Sequence, residues 1–232
     1  MNSLSSGYTA LVIGATGTIG QAFQAAIAAD LACAGVLTLS RAGSPGFDLR
    51  SPASIVQALE RLNPPAPLSL VIDATGVLSV GDAGPEKSLA AIRPEALQEL
   101  MQVNAVSPLM LLRALVPHLS RERCIYGKLS ARVGSISDNR LGGWYGYRAS
   151  KAALNMLLQT AAIELNRRMP ELVIAAMQPG TVVSPLSRRF VSAVTPTVSS
   201  QESAAGLLHT LDALPAKPGA HFIDYRGRSI AW

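Results

Sequence analysis

The chain is 232 residues long, 49% apolar and only 15% charged, with a formal net charge of +5. That length suits a single domain (1–232), and a mean hydropathy of +0.28 asks for a sheet covered on both faces or a packed subunit interface. The basic balance admits a nucleic-acid partner, but the arginines are dispersed, aromatics reach only 5%, and no zinc-finger or RNA-binding signature occurs.

No apolar run reaches the ~18 residues that span a bilayer, because Lys151, Asn155, Gln159 and Glu164 interrupt the richest segment. The opening MNSLSSGYTALVIG has no basic residue ahead of its apolar stretch, so no signal peptide is read. Cys33 and Cys124 lie far apart and read as buried apolar residues in a reducing, cytoplasmic compartment. His118, His209 and His221 are equally scattered, and no metal site is expected.

In chain order, short apolar runs alternate with longer helical ones. TALVIG (9–14) predicts a buried strand, and an Ala-rich helix follows over 19–31. GVLTLS (35–40) is the next strand, then a helix over 51–62, where Ser51 and Pro52 suit the cap and first turn. A strand begins at Leu68, and Pro94 opens a long helix ending near Leu119. CIYGKLS (124–130) is a strand, and the helix holding Tyr147 spans 144–169. LVIAAMQPG is a strand stopped by Pro179 and Gly180, followed by a helix near 201–214 and a short strand around Phe222. Strands alternating with helices predict an α/β fold, a doubly wound parallel sheet of the Rossmann type with helices on both faces.

VIGATGTIG places Gly14, Gly17 and Gly20 between the first strand and the first helix. Glycines there permit a tight turn and close approach of backbone to a pyrophosphate, which the helix N-terminus attracts. Twenty residues after Gly20 the second strand ends in Ser40 and Arg41. An acidic residue there would repel a 2′-phosphate; a hydroxyl and a guanidinium accept one, so NADP(H) is favoured over NAD(H). A solvated loop arginine is the alternative.

WYGYRASKAALNML sets Tyr147 and Lys151 at i and i+4, on one helix face. An ammonium beside a phenol favours the phenolate, drawing a pKa of about 10 toward neutral and making a proton donor that works near pH 7. Taken alone, the pair reads more readily as a surface tyrosine beside a solvated lysine, and the rest of the chain has to decide.

Taken in order, GATGTIG, FDL, DATG, the asparagine of MQVNAVSPLMLL, YxxxK and QPGTVVSPL resemble the short-chain dehydrogenase/reductase superfamily along the whole chain. VGSISDNRLGGWYGYRASKAALNML with PGTVVSPLSRRF is similar to its C-factor-like branch, named for a bacterial cell–cell signalling protein. The resemblance implies an oxidoreductase in which Gly14, Thr16, Gly17, Thr18, Ile19 and Gly20 hold pyrophosphate, and Ser40 and Arg41 meet the ribose phosphate. By the same resemblance Asp48 and Leu49 hold the adenine, Ala74, Thr75 and Gly76 line the cofactor, and Asn104 binds a relay water. Tyr147 would be the general acid or base on a small carbonyl or alcohol, and Lys151 its partner on the nicotinamide ribose. Pro179, Gly180, Val182 and Ser184 would flank the nicotinamide, and SPLSRRFVSAVTP would cover the substrate. Arg188 and Arg189 hint at an acidic group on the substrate or at the cofactor phosphate, though adjacent arginines are more often simply solvated. Family members pair their two long helices, so a homodimer or homotetramer is implied.

The chain departs from that pattern in three places. Thr18 stands where a glycine is usual, Asp73-Ala74-Thr75-Gly76 replaces Asn-Asn-Ala-Gly, and Ala131 occupies the place of the catalytic serine. Ser130 neighbours Ala131 but should face the other way, because adjacent strand residues alternate. Ser135, twelve residues before Tyr147, is the candidate to supply a hydroxyl from the loop. Without one, a lost polarising donor can cost roughly two to three orders of magnitude in rate. A cofactor-binding signalling or regulatory protein with weak turnover is therefore the second reading.

Overall fold

The computed structural model describes residues 1–81, 84–185, 187–188 and 196–232. Six parallel strands form one sheet in the order β2-β1-β3-β4-β5-β6. They are β1 Tyr8–Ile13, β2 Cys33–Leu39, β3 Leu68–Asp73, β4 Cys124–Leu129, β5 Leu172–Gln178 and β6 His221–Asp224. Every residue of β1 and β4 is buried, which is why they read as unbroken apolar runs and not as alternating ones.

Helices cover both faces. On one side α2 (Pro52–Leu62), α4 (Ser107–Leu115) and α5 (Tyr145–Asn166) pack Ile55, Leu112 and Leu158 onto the sheet. On the other, α1 (Thr18–Ala28) and α6 (Ser200–Ala213) contribute Phe23, Leu207 and Leu211. Each such side chain stabilises the fold by about 1.5–3 kcal/mol on burial. Local signals start two of these helices: Ser51 Oγ accepts from the Ser54 N–H ahead of Pro52, and Ser199 Oγ accepts from Glu202 N–H.

The long helix expected over 94–119 is interrupted. It runs as α3 (Pro94–Met101), a π turn (Gln102–Val106), α4, and a 3-10 turn (Val116–His118). Pro108 has no N–H, so the Asn104 carbonyl loses its ordinary i+4 partner, and the wider turn accommodates that break. By length and apolarity Pro94–His118 could cross a membrane, contrary to the expectation that no segment is long enough. Half of its most apolar stretch is buried against the protein, as a core helix requires. Trp144 is not helical as expected: its φ of 54° is left-handed, and α5 begins one residue later.

Candidate active site

The sheet order reverses at β1, between its neighbours β2 and β3. Chain ends on either side of such a switch point diverge and leave a crevice at the carboxyl edge. A cavity of ≈ 610 Å³ lies there, lined by residues that follow β1, β2, β3, β4 and β5 and by one face of α5.

At one end, Thr16 to Gly20 form the turn into α1. Gly14 has a φ of 81°, and a Cβ on Gly20 would lie 2.1 Å from the Gly14 carbonyl oxygen, so the turn requires both glycines. Thr18 in place of a third glycine sits at the cavity wall without disturbing that approach. No side chain caps α1, so its first-turn N–H groups face the crevice with the positive end of the helix dipole. Arg41 lines the same end. A dinucleotide's phosphates fit this donor set: backbone N–H groups at a helix start and a guanidinium beside them.

At the other end Tyr147 and Lys151 share the wall with Ser130, Pro179 and Ser184. The direction expected for the phenol is reversed. Burial pushes Tyr147 up to about 12, while burial, with Lys128 adding repulsion, pulls Lys151 down to about 7. Lys151 Nζ stands 5.7 Å from the Tyr147 ring centroid and donates to the Leu129 carbonyl at 3.0 Å. Desolvation of both groups therefore outweighs their mutual effect, and at neutral pH Tyr147 is a protonated phenol.

The Ser135 expectation is also corrected. Ser135 is buried away from the cavity, its Oγ accepting from Asp138 N–H at 3.1 Å and lying 3.4 Å from Ser137 Oγ. Of Ser130 and Ser135 it is Ser130 that lines the cavity, with Oγ donating to Asn155 Oδ1 at 2.7 Å. β4 ends at Leu129, and the alternation that would turn Ser130 away ends with it.

Asn104 is fully buried and does not line the cavity. Its side chain accepts from Val77 N–H at 2.9 Å and donates to Val77 O at 2.8 Å and to Ser150 Oγ at 3.1 Å. It thereby ties the turn after β3 to α5. Several other expected contacts stand back from the crevice. The Ser40 hydroxyl accepts from Gly43 N–H, Asp48 pairs with Arg50, and the Leu49 carbonyl accepts from Ser107. Gly180, with φ of 78°, gives a close turn against Tyr225, and Val182 bridges to Val198. Of the covering segment, Leu186 and 189–195 lie outside the described residues, so Arg189 does too; Arg188 is exposed.

Two features escaped the sequence reading. Asp73 and Lys128 face each other across β3 and β4 and are wholly buried, with Nζ 2.9 Å from Asp73 Oδ1. Nζ also donates to Thr75 O at 2.6 Å and Thr75 Oγ1 at 2.9 Å, so its three N–H groups meet three acceptors. Removing one partner of such a pair typically costs about 3–5 kcal/mol. The signal was present: a lysine inside the apolar run CIYGKL, opposite an aspartate ending LSLVID. The second feature is Glu86, whose Oε2 accepts from Gly146 N–H at 3.1 Å and whose carbonyl accepts from Trp144 N–H, clasping the start of α5.

A doubly wound sheet with a glycine turn, an open helix start and a Tyr/Lys pair along one crevice defines a dinucleotide-binding class of protein. The sequence profile of short chain dehydrogenases matches residues 40–194, and the chain belongs to that family of oxidoreductases. A 1-hydroxy-2-glutathionyl-2-methyl-3-butene dehydrogenase of Rhodococcus sp. is 29% identical over 208 residues, covering 88% of this chain and 84% of the relative. The C-signal protein of Myxococcus xanthus is 31% identical over 132 residues, 56% of this chain and 75% of that one. Among solved structures, an NADP-bound short-chain dehydrogenase/reductase of Burkholderia multivorans superposes with TM-score 0.80 at 24% identity, covering 97% and 99% of the two chains. An NADPH-bound carbonyl reductase from chicken fatty liver gives TM-score 0.81 at 22% identity over 99% and 96%. These likenesses bear out the doubly wound fold.

Proposed function

We propose that the chain is an NADP(H)-dependent oxidoreductase acting on a small carbonyl or alcohol. One observation carries the reading: a single cavity joins an uncapped helix start and Arg41 at one end to Tyr147 and Lys151 at the other. The Rhodococcus relative is named a dehydrogenase, and the two structural neighbours hold NADP or NADPH, which supports the cofactor class.

A bound nicotinamide would supply or accept the hydride. Tyr147, protonated at neutral pH, would donate its proton to the oxygen of a carbonyl undergoing reduction and take it back in oxidation. Lys151 would hold the ribose and, when charged, ease the phenol's loss of its proton. The Ser130 hydroxyl, at the wall, would have to turn its proton from Asn155 Oδ1 to polarise the substrate oxygen, a task for which Ala131 has no hydroxyl. Asn104 holds the turn after β3, and its carbonyl, denied an N–H by Pro108, is suited to bind a relay water.

Titration with NADPH and NADH, followed by nicotinamide fluorescence, tests the cofactor site. NADPH should bind at least about tenfold more tightly, and Arg41→Ala should remove the difference. Tyr147→Phe should leave NADPH affinity nearly unchanged while lowering carbonyl reduction by at least about a hundredfold; full turnover in that variant would overturn the reading.

The likeness to C-signal, together with Ala131, favours a second reading as a cofactor-binding signalling protein of weak turnover. Partner capture that depends on NADPH would support it, and strong Tyr147-dependent reduction would count against it. In either case we read the protein as a homo-oligomer.

A further inference from the structure

The buried pair Asp73–Lys128 lies on the sheet face that carries α5, directly behind the turn that lines the cavity. Lys128 Nζ reaches Thr75 through both the carbonyl and the hydroxyl. The next residue, Gly76, is packed so closely that a Cβ there would lie 3.4 Å from Lys151 Nζ and 3.3 Å from Asn104 Oδ1. One turn of chain thus separates two buried lysines, one facing the cavity and one behind it.

We propose that Lys128 is a positioning residue for Lys151: its ammonium, paired across the sheet with Asp73, locks the turn Asp73–Gly76 and stands as a second positive charge behind the cavity lysine. The functional meaning of this rests on the oxidoreductase reading, whereas the coupling of the two lysines does not require turnover to be seen.

Among the described residues, the groups facing Lys151 are few. Asp73 comes from β3, Lys128 from β4, and Tyr147 from its own helix; Asn104, from the π turn, is uncharged. Tyr126, also on β4, turns its buried phenol toward Asp73. Burial is the largest influence on Lys151, and the Lys128 charge adds to it more strongly than Asp73 opposes it. The pair therefore acts on Lys151 as a net positive neighbour, adding to the burial that chiefly loosens its proton. Lys128 itself is pulled down by burial and kept charged by its three acceptors.

The chain has only four lysines, Lys87, Lys128, Lys151 and Lys217, so protein labelled with [ε-13C]lysine gives four assignable signals. Lys151 in the parent should titrate near neutral pH. In Lys128→Met, and in the doubly neutral Asp73→Asn/Lys128→Met, its midpoint should rise by roughly half a unit or more. If the single variant does not fold, the double variant leaves no buried charge unpaired and carries the test. In the double variant NADPH should also bind roughly threefold or more weakly, because the turn is no longer held. An unchanged Lys151 midpoint in the folded double variant, or a parent midpoint near the ordinary lysine value, would overturn the proposal. A shifted midpoint in a parent that binds no NADPH would support the coupling and remove the dinucleotide reading.

Discussion

At the scale of single residues, the cavity is set by what burial does to charge. Tyr147 and Lys151 are one helical turn apart, yet each is displaced toward its neutral form by desolvation, Lys151 being buried and Tyr147 half-buried at the cavity wall. For Lys151 the folded value, about 7, lies below the ordinary 10.5. Between those values the unfolded chain binds the extra proton, so this group makes stability rise with pH from about 7 to about 10.5. Tyr147 acts oppositely, but only where pH climbs from about 10 to about 12. Lys151→Met should therefore be more stable than the parent at pH about 6, by on the order of a few kcal/mol, and the advantage should shrink toward pH about 9. Thermal melts across that range check it; a difference independent of pH would refute the assignment. The same reasoning gives Tyr147 no titration of its own at neutral pH, so a limb near pH 7 in a rate profile belongs to Lys151.

At the scale of elements, the question is how α5 is held with its Tyr147 face against the crevice. No side chain of its own caps it, and the residue before it is left-handed. Glu86 takes the cap's place from the loop after β3: a buried carboxylate at a helix N-terminus, bonded to Gly146 N–H. Gly146 is needed there, since a Cβ would lie 2.7 Å from Leu100 Cδ1 and 2.9 Å from Glu86 Oε1. Glu86→Ala should cost about 1–2 kcal/mol of unfolding free energy, and any Tyr147-dependent turnover should fall with it. Denaturant melts measure the first; a loss below about 0.5 kcal/mol would mean that the clasp contributes no more than an ordinary surface contact. The π turn serves the same end from the opposite side, presenting Asn104 to both Val77 and Ser150.

At the scale of the whole molecule, the two helical layers bury most apolar side chains but leave some uncovered. Met156 and Ile163, seven residues apart on α5, are 66% and 41% exposed, and Val106 in the π turn is 40% exposed. A face of this kind suits pairing with a second copy. Light scattering should find a dimer or tetramer, and Met156→Glu with Ile163→Glu should shift it toward the 24.3 kDa monomer. A strict monomer in the parent would contradict the proposed assembly.

Much of the fold was legible because its signals are local. Buried parallel strands appear as apolar runs, Ser51 marks a helix start, and Gly14 and Gly20 mark the turn that only they can make. The i, i+4 spacing of Tyr147 and Lys151 is likewise a property of the chain, and the structure brings both to the crevice. The sequence by itself therefore determined the element order, the parallel sheet and the pair at the cavity. Only the tertiary structure decided that Ser130 and not Ser135 reaches the wall, that the phenol is raised, and that Asp73 and Lys128 meet beneath it. Desolvation and cross-strand contact depend on residues distant in sequence, Asp73 and Lys128 being 55 positions apart, and no local pattern encodes them.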